Sequence, residues 1–180
     1  MIWLSNSTLV RLRDQLQARG QRPSLVAPEA GMTPDAVEEL NIVAEYGPLC
    51  EAMYLMMSAD GSVGNEEREV LKGALRNLAG DAIRSTHIEN MVAEATKRAD
   101  AQGREARLKE VVAVLHEDKA RAEVAFVLAA AIAFADNAIA DEENETLNDL
   151  AEGLGIDEAR ANELLDDVEK DLSAQQAATQ

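Results

Sequence analysis

Hydrophobic positions recur at three- and four-residue intervals along most of the chain, and no stretch alternates as a half-buried strand would. The pattern predicts an all-α protein. A short amphipathic helix falls within residues 1–20, with Leu9, Leu12 and Leu16 on one face and Ser5 or Ser7 available as its cap. Residues 21–32, with Pro23, Pro28 and Gly31, read as a linker. Thr33-Pro34 then opens a body as an N-cap followed by Pro in the first helical position. Its helices are predicted over 33–46, stopped by Gly47-Pro48, and over 49–59. A third, ending at Gly80, places Val70, Leu71, Leu75 and Leu78 on one face. A fourth opens at Ser85 or Thr86 and closes near Gly103, with Ile88, Met91, Val92 and Ala95 inward. Further helices follow over 104–116, 117–135, 141–153 and 157–172, the last capped by Asp157, and residues 173–180 read as a polar frayed tail.

Two of these segments, 49–59 and the second half of 117–135, are apolar on nearly every side. Helices of that kind belong at the centre of a bundle. Small residues (Ala52, Ala59, Ala129, Ala130, Ala131 and Ala133) permit close approach, so the two are expected to pack on each other. They also begin an internal repeat. A shift of 76 residues aligns Ala59-Asp60 with Ala135-Asp136, Val63 with Ile139, Glu66-Glu67 with Glu142-Glu143, Leu71 with Leu147 and Leu78 with Leu154. Ordered self-similarity of this kind marks a structural repeat, and the expected fold is a compact helical bundle of two pseudo-symmetric halves with about seven to eight helices.

Composition agrees. Of the 180 residues, 47% are hydrophobic but only 3% aromatic, so Ala, Leu and Val build the core, as suits closely packed helices. The net charge of −17 excludes nucleic acid as a natural partner, since phosphates call for Lys and Arg. The distribution is uneven. Residues 1–22 carry four Arg against Asp14, whereas 136–171 hold fourteen acids against Arg160 and Lys170. A basic arm ahead of an acidic body suggests partner docking, with Trp3, Arg11, Arg13 and Arg19 as candidate contacts for a protein or for the periphery of a membrane. The alternative is that the arm packs on its own acidic body or is disordered; in either case its removal is expected to leave the fold intact. No transmembrane segment or signal-peptide core is expected, and the lone Cys50 cannot form an internal disulfide. A cytoplasmic location, with possible membrane association, is the corresponding expectation.

Candidate chemistry lies where the repeat breaks. In each copy an Asp ends the apolar helix and a Glu follows seven residues later in the first turn of the next. Asp60 with Glu67, and Asp136 with Glu143, are candidate ligands for a hard divalent cation such as Ca²⁺ or Mg²⁺, with Glu66 and Glu142 as second choices. Neither loop is an EF-hand, because Gly64 and Leu71 stand where that loop needs oxygen ligands after Asp60, and Ala138 and Ala140 do so after Asp136. Helix capping explains the same Glu positions without metal: with Gly64 and Ala140 as N-caps, Glu67 and Glu143 fall at the third helical position, where a carboxylate bonds back to the cap. His87 and His116 lack zinc spacing, Met53, Met56, Met57 and Met91 read as core filling, and no phosphate loop or nucleophile elbow is present. An enzyme is not expected; one using the four carboxylates would need a recess between the two loops.

The stretch Met-Ser-Ala-Asp-Gly-Ser-Val-Gly-Asn-Glu-Glu at 57–67, its echo Phe-Ala-Asp-Asn-Ala-Ile-Ala-Asp-Glu-Glu at 134–143, and Leu-Asn-Asp-Leu-Ala-Glu-Gly-Leu-Gly-Ile at 147–156 resemble the tellurite-resistance TerB-like family. The resemblance spans roughly residues 33–172. It implies a compact two-fold-repeated helical domain, cation-chelating roles for Asp60, Glu67, Asp136 and Glu143, and a place in tellurite-type, chemical or phage-related stress responses. It also implies use as a module beside other domains, including a membrane-anchored DnaJ-type co-chaperone. The chain departs from the family pattern in having Gly64-Asn65 and Ala140-Asp141 where Ser/Thr-Pro is usual, and Asn137 where the first motif has Gly61.

Overall fold

The computed structural model describes residues 6–18, 28–60, 63–134 and 141–178; the side chains at 6, 60, 81, 141–143, 175, 176 and 178 lie outside that description. Within it are eight α-helices and no strand. They are α1 (Asn6–Gln17), α2 (Pro34–Met57), α3 (Asn65–Ala79), α4 (Ser85–Gln102), α5 (Arg104–His116), α6 (Lys119–Ala133), α7 (Asp141–Gly153) and α8 (Glu158–Ala178). Short 3₁₀ turns at Ser58–Asp60 and Gly80–Ala82 follow α2 and α3.

Local chemistry accounts for most of the boundaries. Thr33 accepts from the Ala36 amide at 3.3 Å and Pro34 occupies the first turn of α2. Asp118 accepts from the amides of Ala120 and Arg121, which starts α6 two residues after its predicted beginning. Asp157 caps α8 through the Arg160 amide at 2.9 Å. Gly103, with φ 85°, lets the chain reverse between α4 and α5. Helix α8 runs six residues beyond its expected end near Leu172, because the Ala- and Gln-rich tail is built of good helix formers.

The largest departure from expectation is α2. The predicted break at Gly47-Pro48 does not occur, and one helix of 24 residues runs through it. Proline removes the amide that would bond the Ala44 carbonyl one turn earlier. The Arg121 guanidinium replaces it: Nη2 donates to the Ala44 carbonyl at 3.0 Å and to the Glu45 carbonyl at 3.1 Å. Arg121 is itself almost fully buried. It stands 76 residues from Glu45, so the bond joins equivalent points of the two repeats.

The bundle is built around α2 and α6. They pack on each other; α2 also touches α3, α4 and α5, while α6 touches α1, α5, α7 and α8. From Leu49 to Met57 every residue of α2 is buried, as is every residue of α6 from Arg121 to Ala131. The predicted inward faces of α3 and α4 are inward, with Leu71, Leu75 and Leu78 on α3 and Ile88, Met91, Val92 and Ala95 on α4.

Helix α1 belongs to this body. Leu9, Leu12 and Leu16 are buried in the same hydrophobic cluster as the central helices, and α1 packs against α3 and α6. Polar contacts seal its flank: Thr8 donates to Asp171 at 2.5 Å, Arg11 pairs with Asp167 and Asp171, and Gln15 donates to Glu123 at 3.0 Å. Three leucines at helical spacing bury too much apolar surface to be left in water, each contributing roughly 1.5–3 kcal/mol. The segment thus packs on its own body, the alternative that the sequence left open, and on this packing its removal is expected to cost stability.

Two outcomes follow from these packings. Replacing Leu12 by Ala should lower the unfolding free energy by about 2–5 kcal/mol in denaturant titrations, and a chain lacking residues 1–18 should melt earlier. Arg121→Met should destabilise by about 2 kcal/mol or more by orphaning buried carbonyls, and Pro48→Ala should recover part of that loss by restoring an amide to Ala44. A double-mutant cycle with no coupling between positions 48 and 121 would show that Arg121 does not serve the proline.

Candidate functional site

The first acidic junction connects the two elements that the sequence suggests. Helix α2 ends at Met57, the Ser58–Asp60 turn follows, and α3 begins at Asn65. Glu67 is at the third position of α3, and its Oε2 accepts from the Gly64 amide at 2.6 Å. That is the return half of a capping box. The carboxylate thus has a local structural partner in the absence of any ion. Glu66 accompanies it in the first turn, where negative charge meets the positive end of the helix.

Two guanidinium groups also reach the oxygen atoms of this junction. Arg68 Nε donates to the Val63 carbonyl at 3.3 Å while its guanidinium lies 5.9 Å from the centre of the Tyr54 ring, a cation–π distance. Arg104 Nε donates to the Leu55 carbonyl at 2.8 Å, placing a cation at the carboxyl end of α2. Desolvation holds the Arg104 pKa below its ordinary value. Carbonyls of this kind are what a hard cation would otherwise recruit.

At the second junction Asp136 lies outside the described residues, and Glu142 and Glu143 lie in the first turn of α7 with side chains outside the description, as does the side chain of Asp60. Among the described residues no group of three His, Cys, Asp or Glu is arranged to hold a metal ion. Of the candidate docking residues, Trp3 and Arg19 are likewise outside the description. Arg11 is engaged by Asp167 and Asp171 of its own chain, and Arg13 contacts Asp14.

Sequence reasoning missed two charged clusters, because their members are far apart in the chain. In one, Arg107 grips the almost fully buried Glu51 through Nε at 2.7 Å and Nη2 at 3.1 Å, and its Nη1 serves Gln102 and Glu110. Arg98 adds a contact to Glu51 at 3.3 Å. In the other, Glu123 receives Arg160 through Nε and Nη2 as well as Gln15. The Arg160 hydrogen bonds hold the Glu123 carboxyl below its ordinary range. The only signal in the sequence was a polar residue at an otherwise apolar position on each central helix. Cys50, beside Glu51, is fully buried and its thiol is pushed up to about 12 by desolvation, so it is inert as a nucleophile.

A recess of about 410 Å³ lies between α2, α4 and α5, over the Glu51 cluster. Glu67 is not among its described walls. No helix among the described residues is long and apolar enough to cross a membrane.

No curated protein and no solved structure matches the chain. The family model described as "Tellurite resistance protein TerB" matches residues 49–166, from the buried half of α2 into α8. That span contains both acidic junctions, the buried half of α2 and all of α6, and it covers well over half of the sequence. The chain belongs to the TerB family.

Proposed function

We propose that this TerB-family protein is a non-enzymatic binding protein that takes up a divalent cation, Ca²⁺ or Mg²⁺, at its acidic junctions and acts in a tellurite-type stress-response complex, cytoplasmic or at the membrane periphery. The observation that carries this reading is the recurrence of the same Asp and Glu positions after both central helices, 76 residues apart. Helix capping accounts for Glu67 but assigns no role to Asp60 or Asp136.

The two junctions are not equivalent in charge. Where the first has Arg68 on the Val63 carbonyl, the aligned position of the second is Asn144, and Asp141 stands in place of Asn65. By sequence the second junction therefore carries the larger formal negative charge, and the tighter site is proposed at Asp136 and Glu143. Metal-free docking of a protein partner through the acidic body is the competing reading. It is favoured by the first junction, where Arg68, Arg104 and the Gly64 amide already occupy oxygens that an ion would use.

Thermal melting of the chelator-treated protein, alone and with Ca²⁺, Mg²⁺, Mn²⁺ or Zn²⁺, tests the proposal. An ion at 100 times its dissociation constant should add about 2.7 kcal/mol to the native state. Asp136→Asn should lose most of that gain and Asp60→Asn less. Equal shifts in both variants and the parent, or none, would remove the cation and leave docking.

Glu67→Gln separates the two roles of that side chain. Glutamine keeps an acceptor for the Gly64 amide, so stability in chelator should change by no more than about 0.5 kcal/mol. Any cation-dependent gain that relies on the Glu67 charge should fall.

A further inference from the structure

The recess between α2, α4 and α5 is a trough with chemically distinct ends. At one end Glu51, Arg98 and Arg107 form the buried ionic cluster. At the other, Val43 lies two turns earlier on α2 and Val114 two turns later on α5, separated from the cluster by about 12 Å of helical rise. Met91, Ala95 and Val111 line the floor between them. Val43 and Val114 are 41% and 46% exposed, among the few large hydrophobic side chains left in water among the described residues.

The charges at the ionic end are unequally committed. Arg107 is consumed, with Nε and Nη2 on Glu51 and Nη1 on Gln102 and Glu110. Glu51 is satisfied by the same two bonds. Arg98 spends a single N–H, from Nη1 to Glu51 at 3.3 Å, and its side chain is half exposed. A guanidinium has five donors in a planar fork suited to a carboxylate. Of the two rim carboxylates, Glu94 already faces Lys97 at 3.7 Å and Glu110 accepts from Arg107, so each has a cation of its own chain beside it. The underused charge beside the apolar floor is therefore positive.

We propose that this trough binds a carboxylate-bearing amphiphile, with its alkyl chain along Val43, Met91, Val111 and Val114 and its headgroup on the open edge of Arg98. The volume of about 410 Å³ falls in the range of small-molecule sites and accommodates a single chain of medium length. The site is separate from the acidic junctions and does not depend on a bound cation.

Calorimetric titration of the full chain with decanoate, decanol and decylammonium, each below its aggregation concentration, tests the assignment. Decanoate should bind most tightly. Arg98→Gln, at a half-exposed position, should weaken decanoate by about tenfold while leaving decanol unchanged. Val114→Glu, at an exposed position, should abolish both, and circular dichroism should confirm that each variant remains folded. Phosphatidylglycerol vesicles free of fatty acid should not compete with decanoate. Tighter binding of decylammonium would assign the trough to a cationic ligand held by Glu94 and Glu110, and overturn the proposal. Decanoate binding indifferent to Arg98, binding to vesicles alone, or no binding by any probe would overturn it equally.

Discussion

The inner stretches of α2 and α6, almost wholly buried from Glu45 to Met57 and from Arg121 to Ala131, have little water for their backbone, so its carbonyls and amides must be satisfied from within. Proline in the middle of α2 breaks that condition at one place, and Arg121 of α6 repairs it by donating to the Ala44 and Glu45 carbonyls. The consequence exceeds two hydrogen bonds. Without the repair, the break at Gly47-Pro48 would favour two short helices. With it, one helix of 24 residues carries the Thr33 cap, the wall of the trough and the buried segment that the rest of the bundle packs on. Because the guanidinium comes from the equivalent point of the other repeat, the same contact fixes how the two halves meet.

The remaining charge follows a related logic. A chain with a net charge of −17 repels itself when compacted. The structure directs its relatively few cations to places where they neutralise carboxylates on the central helices. Arg107 and Arg98 meet Glu51 on α2, and Arg160 meets Glu123 on α6. Burying such a pair gives little net stability against an apolar replacement, but losing one partner is costly, since the other is left charged without water. These clusters therefore fix which helices lie side by side. The basic segment at the N-terminus is used in the same way: Arg11 reaches Asp167 and Asp171 on α8, and the leucines beneath it enter the core.

At the acidic junctions, structural and functional demands fall on the same atoms. A carboxylate three positions into a helix caps it whether or not an ion is present, and Glu67 does so. Cation binding there must compete with the Gly64 amide and with two guanidinium groups that hold neighbouring carbonyls. In sequence the second junction has Asn144 where the first has Arg68 and Asp141 where the first has Asn65, so the two copies differ in formal charge. Family membership alone does not distinguish them.

Periodicity alone determined the helical class, the inward faces of α3 and α4, most helix starts and the central position of the two apolar segments. These features depend on neighbours three or four residues apart and on caps within one turn, all of which a linear sequence records. The repeat was equally legible, and with it the candidate carboxylates and the family. Tertiary structure decided what depends on distant partners. Gly47-Pro48 reads as a stop because the residue that cancels it lies 73 positions from Pro48. The first twenty residues read as a separable arm because their partners are remote in sequence: Asp167 and Asp171 lie on α8, and the surfaces against which Leu9, Leu12 and Leu16 pack belong to α3 and α6. Glu51, Arg98 and Arg107 share no motif, and only the packing of α2, α4 and α5 brings them to one end of a trough. Local rules fix which residues turn inward; long-range contacts decide which of the polar ones meet.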